Sequence, residues 1–343
     1  MTITFQDLGW SQHFAQLHDL TGPEQVFRVT SVHRDRVMGL SPDGEKTLIE
    51  PNHNTGHIAV GDWVLTDDEL RITARLDRKS LLQRRAAGRE ARAQLIAANV
   101  DTLFIVSSCN ADFNVARLER YLALAQSTDC FAVIVLTKAD LCEDVDFYRQ
   151  QIRQIPMAPP VEILNAKDPA DIQAILAWVS SGQTAAILGS SGVGKTTLAN
   201  GMTLEQAPTG AIRDDDAKGR HTTTSRHLRR MNNGGWLIDT PGMRELQLFD
   251  AQDGIEALFE DLFAVAQQCK FSNCAHESEP GCAIKAGVEA GDIDPDRLNR
   301  WRKLMLENQY NNESVAQTRS RDRSFGRMVN TAQRAAKHRK GRK

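Results

Sequence analysis

The segment GSSGVGKTT at 189–197 constrains the fold of this chain more than any other feature of its sequence. It fits the pattern G-x-x-x-x-G-K-S/T and lies between a strand-like run, TAAIL, and a helix-like run, TTLANGM. Glycines in such a loop let backbone N–H groups point at phosphate oxygens, and the following helix N-terminus adds to the attraction. The segment predicts a phosphate-binding loop (P-loop) formed by Gly189, Ser190, Ser191, Gly192, Val193, Gly194, Lys195, Thr196 and Thr197.

Three side chains of the P-loop are expected to act on the nucleotide. Lys195 would reach the β- and γ-phosphates and is a candidate catalytic residue. The Thr196 hydroxyl would bind Mg²⁺, and Thr197 would contact the α-phosphate. The loop therefore predicts Mg²⁺ as a cofactor that arrives with the nucleotide.

Two segments later in the chain are expected to complete these contacts. DTPG follows the strand-like run GWLI, so Asp239 would hold Mg²⁺ through water and the Gly242 amide would contact the γ-phosphate. KGRHTTTSRHL lies between the P-loop and DTPG, where a switch threonine would cover the ion. The spacing leaves open which of Thr222, Thr223 and Thr224 does so, and we take Thr223 as the candidate.

Two segments earlier in the chain match the base-reading loops of GTP-binding proteins. LTKAD and LNAKD each end a strand-like run. The Asp140 carboxylate can accept from guanine N1–H and the 2-amino group, whereas adenine offers neither donor and would leave a buried acceptor unpaired. The Ala166 amide is placed to meet guanine O6. The predicted guanine contacts are Thr137, Lys138, Ala139, Asp140, Asn165, Ala166 and Lys167.

Thr137 departs from the usual N-K-x-D motif, which has Asn in this place. The Asn amide braces neighbouring loops, and threonine has no amide to do so. We therefore expect some loss of rigidity at this point of the nucleotide site.

The motifs occur in the order TKAD, NAK, P-loop, switch threonines and DTPG. GTPases usually begin with the P-loop and end with the two base-reading loops. Here each motif is intact and only the order of the motifs along the chain differs, as circular permutation would produce. The chain leaving DTPG then enters the C-terminal region directly, so nucleotide state could move that region.

The pattern of apolar residues changes along the chain. Short β-like runs broken by turn signals predict a small barrel or sandwich near the N-terminus, with Phe27 and Trp63 in its core. Strand-like and helical runs then alternate, which predicts a mostly parallel sheet with helices on both faces. The predicted divisions are an N-terminal segment at 1–24, the barrel at 25–78, the α/β domain at 92–250, a helical domain at 251–318 and a basic tail at 319–343.

The helical domain contains CKFSNCAHESEPGC, with the spacing C-x4-C-x-H-x5-C. Three thiolates and one imidazole make a closed tetrahedral set for Zn²⁺, with no open position for water. Few large apolar residues surround the cluster, so the metal would supply much of the local folding free energy. We predict one structural Zn²⁺ per chain, held by Cys269, Cys274, His276 and Cys282.

Charge is distributed unevenly along the chain. Residues 319–343 carry ten Lys or Arg and one acid, Asp322, while the remainder has 32 basic and 43 acidic residues. A basic tail on an acidic body predicts a polyanionic partner. We favour nucleic acid over a membrane because no amphipathic or lipidation pattern is present. The alternative is a solvated terminus that only aids solubility.

The sequence also indicates the cellular compartment in which the protein is found. It has no apolar run of about 18 residues, and its start, MTITFQDLGW, lacks the basic-then-apolar plan of a secretory signal. The cysteines outside the cluster, Cys109, Cys130 and Cys142, are scattered and do not form a secreted disulfide framework. We expect a cytoplasmic monomer with reduced thiols and no membrane association.

Taken together, the motifs make the sequence closely resemble the RsgA-type (YjeQ-like) circularly permuted GTPases, which act in maturation of the small ribosomal subunit. The resemblance rests on AANVDTLFIV, TKAD, GSSGVGKTTLAN, GRHTTT, DTPGMREL and the Cys/His cluster, and spans nearly the whole chain. It implies a multidomain protein with an N-terminal OB-fold β-barrel, a central circularly permuted α/β P-loop GTPase domain and a C-terminal, mostly helical zinc-binding domain. It also implies slow hydrolysis of GTP to GDP and phosphate, stimulated by the small ribosomal subunit. The implied biological role is late in maturation of that subunit, with its rRNA as partner.

The resemblance also suggests a catalytic residue. The family lacks the usual glutamine after DxxG, and Met243 agrees with this. Its GRHTT motif maps onto 219–223, which makes His221 the candidate for positioning the hydrolytic water. From the residues alone, His221 is an ordinary loop histidine.

Two other functions remain open at this point. One is a nucleotide-gated RNA-binding switch whose own hydrolysis is incidental. The other is an ATP-using P-loop protein, against which Asp140 argues.

Overall fold

The computed structural model describes residues 3–18, 24–33, 35–51, 54–85, 93–205, 227–239, 251–309 and 311. Several predictions fall outside these residues: His221, the switch threonines Thr222, Thr223 and Thr224, Gly242 and the basic tail. The backbone of Asp239 lies within them as the last residue of a strand.

The N-terminal region forms a short helix and five strands: α1 (Gln12–Leu17), β1 (Gln25–Val32), β2 (Val37–Ser41), β3 (Gly44–Leu48), β4 (Trp63–Thr66) and β5 (Ile72–Arg75). β1 pairs antiparallel with both β2 and β4, β2 pairs with β3, and β4 pairs with β5. A parallel bridge between Ile49 and Arg71 joins the end of β3 to β5 and closes the ring. This order is that of a five-stranded OB-fold barrel. Phe27 and Trp63, each 1% exposed, lie in the core as predicted.

Eight further strands follow: β6 (Leu81–Arg85), β7 (Ala93–Ala98), β8 (Thr102–Ser108), β9 (Phe131–Thr137), β10 (Val161–Ile163), β11 (Thr184–Gly189), β12 (His227–Arg230) and β13 (Trp236–Asp239). β6 and β7 form an antiparallel pair. The next strands run parallel in the order β10-β9-β8-β11-β13, with β12 antiparallel to β13. Chain order reverses between β8 and β11, which is the switch point where such sheets bind ligands.

Helices cover both faces of this sheet, as the alternating pattern predicts. They are α2 (Val115–Gln126), α3 (Val145–Arg153), α4 (Pro169–Leu176) and α5 (Lys195–Met202). Leu118 and Leu122 of α2 pack into one core, while Ile172 and Leu198 of α4 and α5 pack into the other. Side-chain caps fix where α2, α3 and α4 begin; at α2, for example, the Asn114 side chain accepts from the Arg117 amide at 3.0 Å.

The C-terminal region is helical: α6 (Gln252–Leu258), α7 (Glu260–Ala266), α8 (Ala283–Ala290) and α9 at 295–309. α6 packs closely on α2, since a Cβ added to Gly254 would lie 1.9 Å from the Ala123 carbonyl oxygen. Asp294 caps α9 by accepting from the Asp296 amide at 3.0 Å. The helices formed by the described residues include none with the length and hydropathy of a membrane span.

Candidate functional site

The predicted phosphate and base loops meet at one edge of the parallel sheet. β11 ends in the P-loop, and its neighbour β8 pairs Val106 with Gly189. On the other side of β8, Ser108 pairs with Thr137, the last residue of β9. Because the carboxyl ends of parallel strands share an edge, the P-loop, TKAD and the end of β13 come together there.

Two glycines of the P-loop are required by its backbone. Gly189 has φ 152°, and a Cβ there would lie 2.2 Å from the Val106 carbonyl oxygen. Gly194 has φ 90°, a left-handed conformation that L side chains rarely adopt. A side chain at either position would change the path of the loop, and with it the direction of its amides.

The Lys195 side chain folds back onto the P-loop residues that precede it. Its Nζ donates to the Gly189 carbonyl oxygen at 2.8 Å and also contacts the Ser190 carbonyl oxygen. An ammonium group bonds more strongly to an anionic phosphate oxygen than to a neutral carbonyl. The lysine is therefore held where an arriving phosphate would be the better partner.

Thr137 bridges the base loop and the P-loop. Its hydroxyl lies 2.5 Å from the Val193 carbonyl oxygen and 3.2 Å from that of Ser107, and the residue is 1% exposed. A Cβ on Gly194 would lie 3.3 Å from the same hydroxyl. The bracing contact that we expected to be lost is therefore present, made by a hydroxyl instead of an amide.

We expect Thr137→Val to lower the free energy of unfolding by about 1–3 kcal/mol, because it leaves the buried Val193 carbonyl without its donor. Guanine-nucleotide affinity should fall as well, since the same bond fixes the P-loop. Thr137→Ser, which keeps the hydroxyl, is the control. Urea unfolding and titration with a fluorescent guanine nucleotide measure both effects, and a Thr137→Val protein that matches the parent in both would contradict the bridging role.

The two base-reading loops also contact each other. Lys138 adopts a left-handed conformation with φ 60°, and the next amide, of Ala139, donates to the Leu164 carbonyl oxygen at 3.2 Å. The Asn165 side chain accepts from the Lys167 amide at 3.0 Å, which closes the NAK turn. Asp140 follows in a single helical turn with its side chain exposed to solvent. The carboxylate is thus accessible to a base lying between the two loops.

Arg117 is a residue near the P-loop that the sequence did not indicate. It lies in the first turn of α2, and its Nη1 donates to the Ser190 hydroxyl at 2.6 Å. α2 follows β8, and β8 neighbours the P-loop strand only because of the sheet order. A second cation besides Lys195 is therefore attached to the P-loop from a segment 73 residues away.

The predicted zinc ligands form a compact cluster. The ligand atoms of Cys269, Cys274, His276 and Cys282 lie within 4.8 Å of one another. His276 Nδ1 is 3.5 Å from the sulfurs of Cys269 and Cys282, and those two sulfurs are 3.9 Å apart. Zn–S bonds of about 2.3 Å in a tetrahedron place sulfurs roughly 3.8 Å apart. Burial lowers the pKa of His276, which favours the neutral imidazole that a metal needs. The cluster can therefore hold a metal ion.

A carboxylate organises the loop that carries His276. The amides of Ala275, Glu277 and Ser278 donate to the Glu279 carboxylate at 2.8, 2.9 and 3.0 Å. The bond from Ala275, followed by the others, lowers the pKa of Glu279 to about 2. The ring of His276 also packs against Trp301 of α9, with centroids 5.5 Å apart. Together with the contacts from Nδ1 to the sulfurs of Cys269 and Cys282, these interactions fix the position of the imidazole.

The match to known proteins agrees with this arrangement. The model of the RsgA GTPase family matches residues 75–249, which include both base loops, the P-loop and DTPG. The chain belongs to the RsgA GTPase family. Small ribosomal subunit biogenesis GTPase RsgA of Mesorhizobium japonicum is 51% identical over 312 residues, covering 89% of this chain and 90% of the relative. RsgA 2 of Vibrio parahaemolyticus is 43% identical, covering 94% and 91%.

Solved structures show the same architecture. YjeQ from Thermotoga maritima superposes with a TM-score of 0.58 at 26% identity, covering 83% of this chain and 98% of that one. YloQ, described as a circularly permuted GTPase, superposes with a TM-score of 0.56 at 23% identity, covering 85% and 97%. The predicted fold is therefore confirmed, with an OB-fold barrel, a circularly permuted α/β GTPase domain of the RsgA family and a helical region that carries a Cys3His cluster.

Proposed function

We propose that this protein hydrolyses GTP to GDP and phosphate as a factor in late maturation of the small ribosomal subunit, and that the subunit stimulates the reaction. The observation that carries the proposal is the meeting of the P-loop, TKAD and NAK at one sheet edge. Thr137 bonds TKAD to the P-loop, and the Ala139 amide bonds it to the start of the NAK loop. Relatives that match most of the chain are named small ribosomal subunit biogenesis GTPases.

In this proposal the base loops select guanine. Asp140 accepts from N1–H and the 2-amino group, the Lys138 stem lies along the base, and the Ala166 amide donates to O6. ATP is rejected because adenine presents no donors to Asp140, and a site that leaves its polar groups unpaired discriminates strongly.

The phosphates bind the amides of 189–197, while Lys195 neutralises charge on the β- and γ-phosphates. Thr196, Thr223 and Asp239 are the proposed ligands of Mg²⁺, either directly or through water, and their oxygen donors are those that this ion prefers. Bound Mg²⁺ would stabilise charge on the phosphates. The Gly242 amide contacts the γ-phosphate and His221 positions the attacking water.

In this proposal the remaining regions bind the small ribosomal subunit. We propose one structural Zn²⁺ in the Cys3His cluster, because three thiolates and one imidazole at these distances suit that ion. The barrel, the zinc-binding region and the tail contact rRNA, with boundaries as predicted from the sequence. The basic tail on an acidic chain supports an RNA partner. The protein acts as a cytoplasmic monomer, where subunits and GTP are found together.

The proposal is tested by measuring phosphate release from GTP with and without purified small ribosomal subunits, alongside ATP. We expect slow turnover alone, strong stimulation by subunits and little turnover of ATP. The same assay on His221→Ala, with GTP binding measured separately, tests the water-positioning role. In that variant stimulated hydrolysis should be lost while GTP binding remains.

Each outcome discriminates among the functions considered. Turnover that subunits leave unchanged would contradict the proposed partner, and equal use of ATP would contradict guanine selection. A hydrolysis-deficient variant that still binds and releases subunits normally would favour the RNA-binding switch. Normal stimulated turnover in His221→Ala would remove that residue from the mechanism.

A further inference from the structure

A basic groove lies between α2 of the GTPase domain and α9 of the C-terminal region. Its cavity volume is about 220 Å³, and its charged lining consists of Arg117, Arg120, Arg300, Lys303 and Glu307. Four cations against one carboxylate give this lining an excess of positive charge. The feature, called here the α2–α9 groove, is separate from the loops that would bind the nucleotide but shares Arg117 with them.

The cations of the groove differ in how they are held. Arg120 is paired with Glu307, and Arg300 Nε donates to the buried Glu119 carboxylate at 2.7 Å. Both are therefore fixed in place by acids that offset part of their charge. The Lys303 side chain is exposed and has no ion pair or hydrogen bond with any residue that the structure describes. Its charge is available to a ligand.

Arg117 attaches the groove to the P-loop. Its Nη1 donates to the Ser190 hydroxyl at 2.6 Å, and its amide is capped by Asn114. A guanidinium carries five N–H donors in a planar fork, so bonding to Ser190 leaves donors that can meet an anion. An anion in the groove would therefore share this arginine with the P-loop.

The positive charge of the groove restricts the class of ligand that it can bind. The chain's own basic tail would be repelled by it, and an apolar ligand would bury several cations without a partner. A phosphate group is small enough to enter the cavity, and its oxygens suit the planar donors of an arginine. Because the proposed function makes rRNA the partner, and this inference rests on that function, a phosphodiester of RNA is the phosphate that the protein would meet.

We propose that the α2–α9 groove binds a backbone phosphate of rRNA, with Lys303 and Arg117 as its direct contacts. Arg120 and Arg300 raise the local positive potential from positions that their acidic partners fix. The groove thus adds an RNA contact on the GTPase domain itself, beside the P-loop.

The test compares Lys303→Gln with Arg153→Gln in the full-length protein. Arg153 ends α3 and does not line the groove. Its side chain is exposed and has no ion pair or hydrogen bond among the described residues. Both substitutions remove one positive charge from an exposed side chain. Binding to purified small ribosomal subunits is measured with a non-hydrolysable GTP analogue over a series of salt concentrations.

We expect Lys303→Gln to weaken binding about five- to eightfold at ~0.1 M salt and to reduce the slope of log K against log salt by about 0.7–0.9, as one lost phosphate contact requires. Arg153→Gln should match the parent. Equal behaviour of the two variants, in affinity and slope, would overturn the groove as an RNA site. A parent protein that fails to bind subunits would refute the proposed function, and this inference with it.

Discussion

Removing metal from the Cys3His cluster is expected to unfold the C-terminal region while the GTPase domain stays folded. The loop that carries the ligands is polar and mostly exposed, and the cluster contributes three free thiols and one imidazole. Structural zinc contributes about 10–16 kcal/mol to the folding of finger-like peptides, far more than this loop gains from apolar burial. Chelation should therefore split thermal unfolding into two transitions.

The measurement combines calorimetry with a chromogenic assay of released metal. We expect one equivalent of zinc per chain and an early transition that appears after chelation. Cys274→Ser should reproduce the effect, because it removes one of four ligands. Cys142→Ser, a half-buried cysteine outside the cluster, is the matched control and should keep the metal. Purified protein without zinc, or a chelated protein that melts as before, would contradict a structural metal.

The local chemistry of this protein could be predicted from its sequence because each motif lies within a short segment. The P-loop, TKAD and the C-x4-C-x-H-x5-C spacing each specify one chemical group by residue type and distance along the chain. The closure of the barrel could not be predicted from the sequence, because it depends on the bridge between Ile49 and Arg71. A sequence pattern gives the strands but not which of them meet.

The contact made by Thr137 was not predicted for a different reason. Its acceptor is the backbone carbonyl of Val193, and every residue has a carbonyl. Nothing in the sequence indicates which carbonyl a given hydroxyl will reach. The motif therefore suggested a lost contact where the folded chain has a replacement.

Contacts between regions also escaped prediction. The barrel and the α/β sheet, predicted as separate units, are joined by the bridge between Ser31 and His227. The fully buried Arg28 adds bonds from the barrel to the Leu8 carbonyl and the Thr184 hydroxyl. Burial lowers its pKa to about 10, which still leaves it charged at neutral pH. Such pairs lie far apart in sequence and have no periodic signature.

The second large effect is expected at Glu119, where α2 meets the C-terminal helices. Its side chain is 0% exposed, with Arg300 Nε at 2.7 Å and Arg297 Nη1 at 3.6 Å from its oxygens. Burial raises the pKa of this carboxyl, and the two arginines oppose that shift. The group is thus a buried carboxylate whose desolvation is offset by two cations.

We expect Glu119→Ala to lower the free energy of unfolding by about 3–5 kcal/mol, because it leaves cations in a buried interface without their partner. Asp146→Ala, which breaks the exposed pair between Asp146 and Arg149, is the matched control and should cost no more than about 1 kcal/mol. Urea unfolding of both variants measures the difference. A Glu119→Ala protein as stable as the control would show that the pair contributes nothing net to the interface.

A double substitution tests whether the loss of stability comes from the missing carboxylate or from the arginine that is left unpaired. If the cost of Glu119→Ala comes from the uncompensated arginine, then Glu119→Leu combined with Arg300→Met should cost less than Glu119→Ala alone. Arg297 keeps Asp261 as a partner at 2.7 Å, so it is not stranded in the double variant. A double variant that is as unstable as the single one would instead assign the loss to the packing of α2 against α9. In either case the result measures how much the interface between α2 and the C-terminal region contributes to the free energy of unfolding. The same helix, α2, contains the Arg117 that contacts the P-loop.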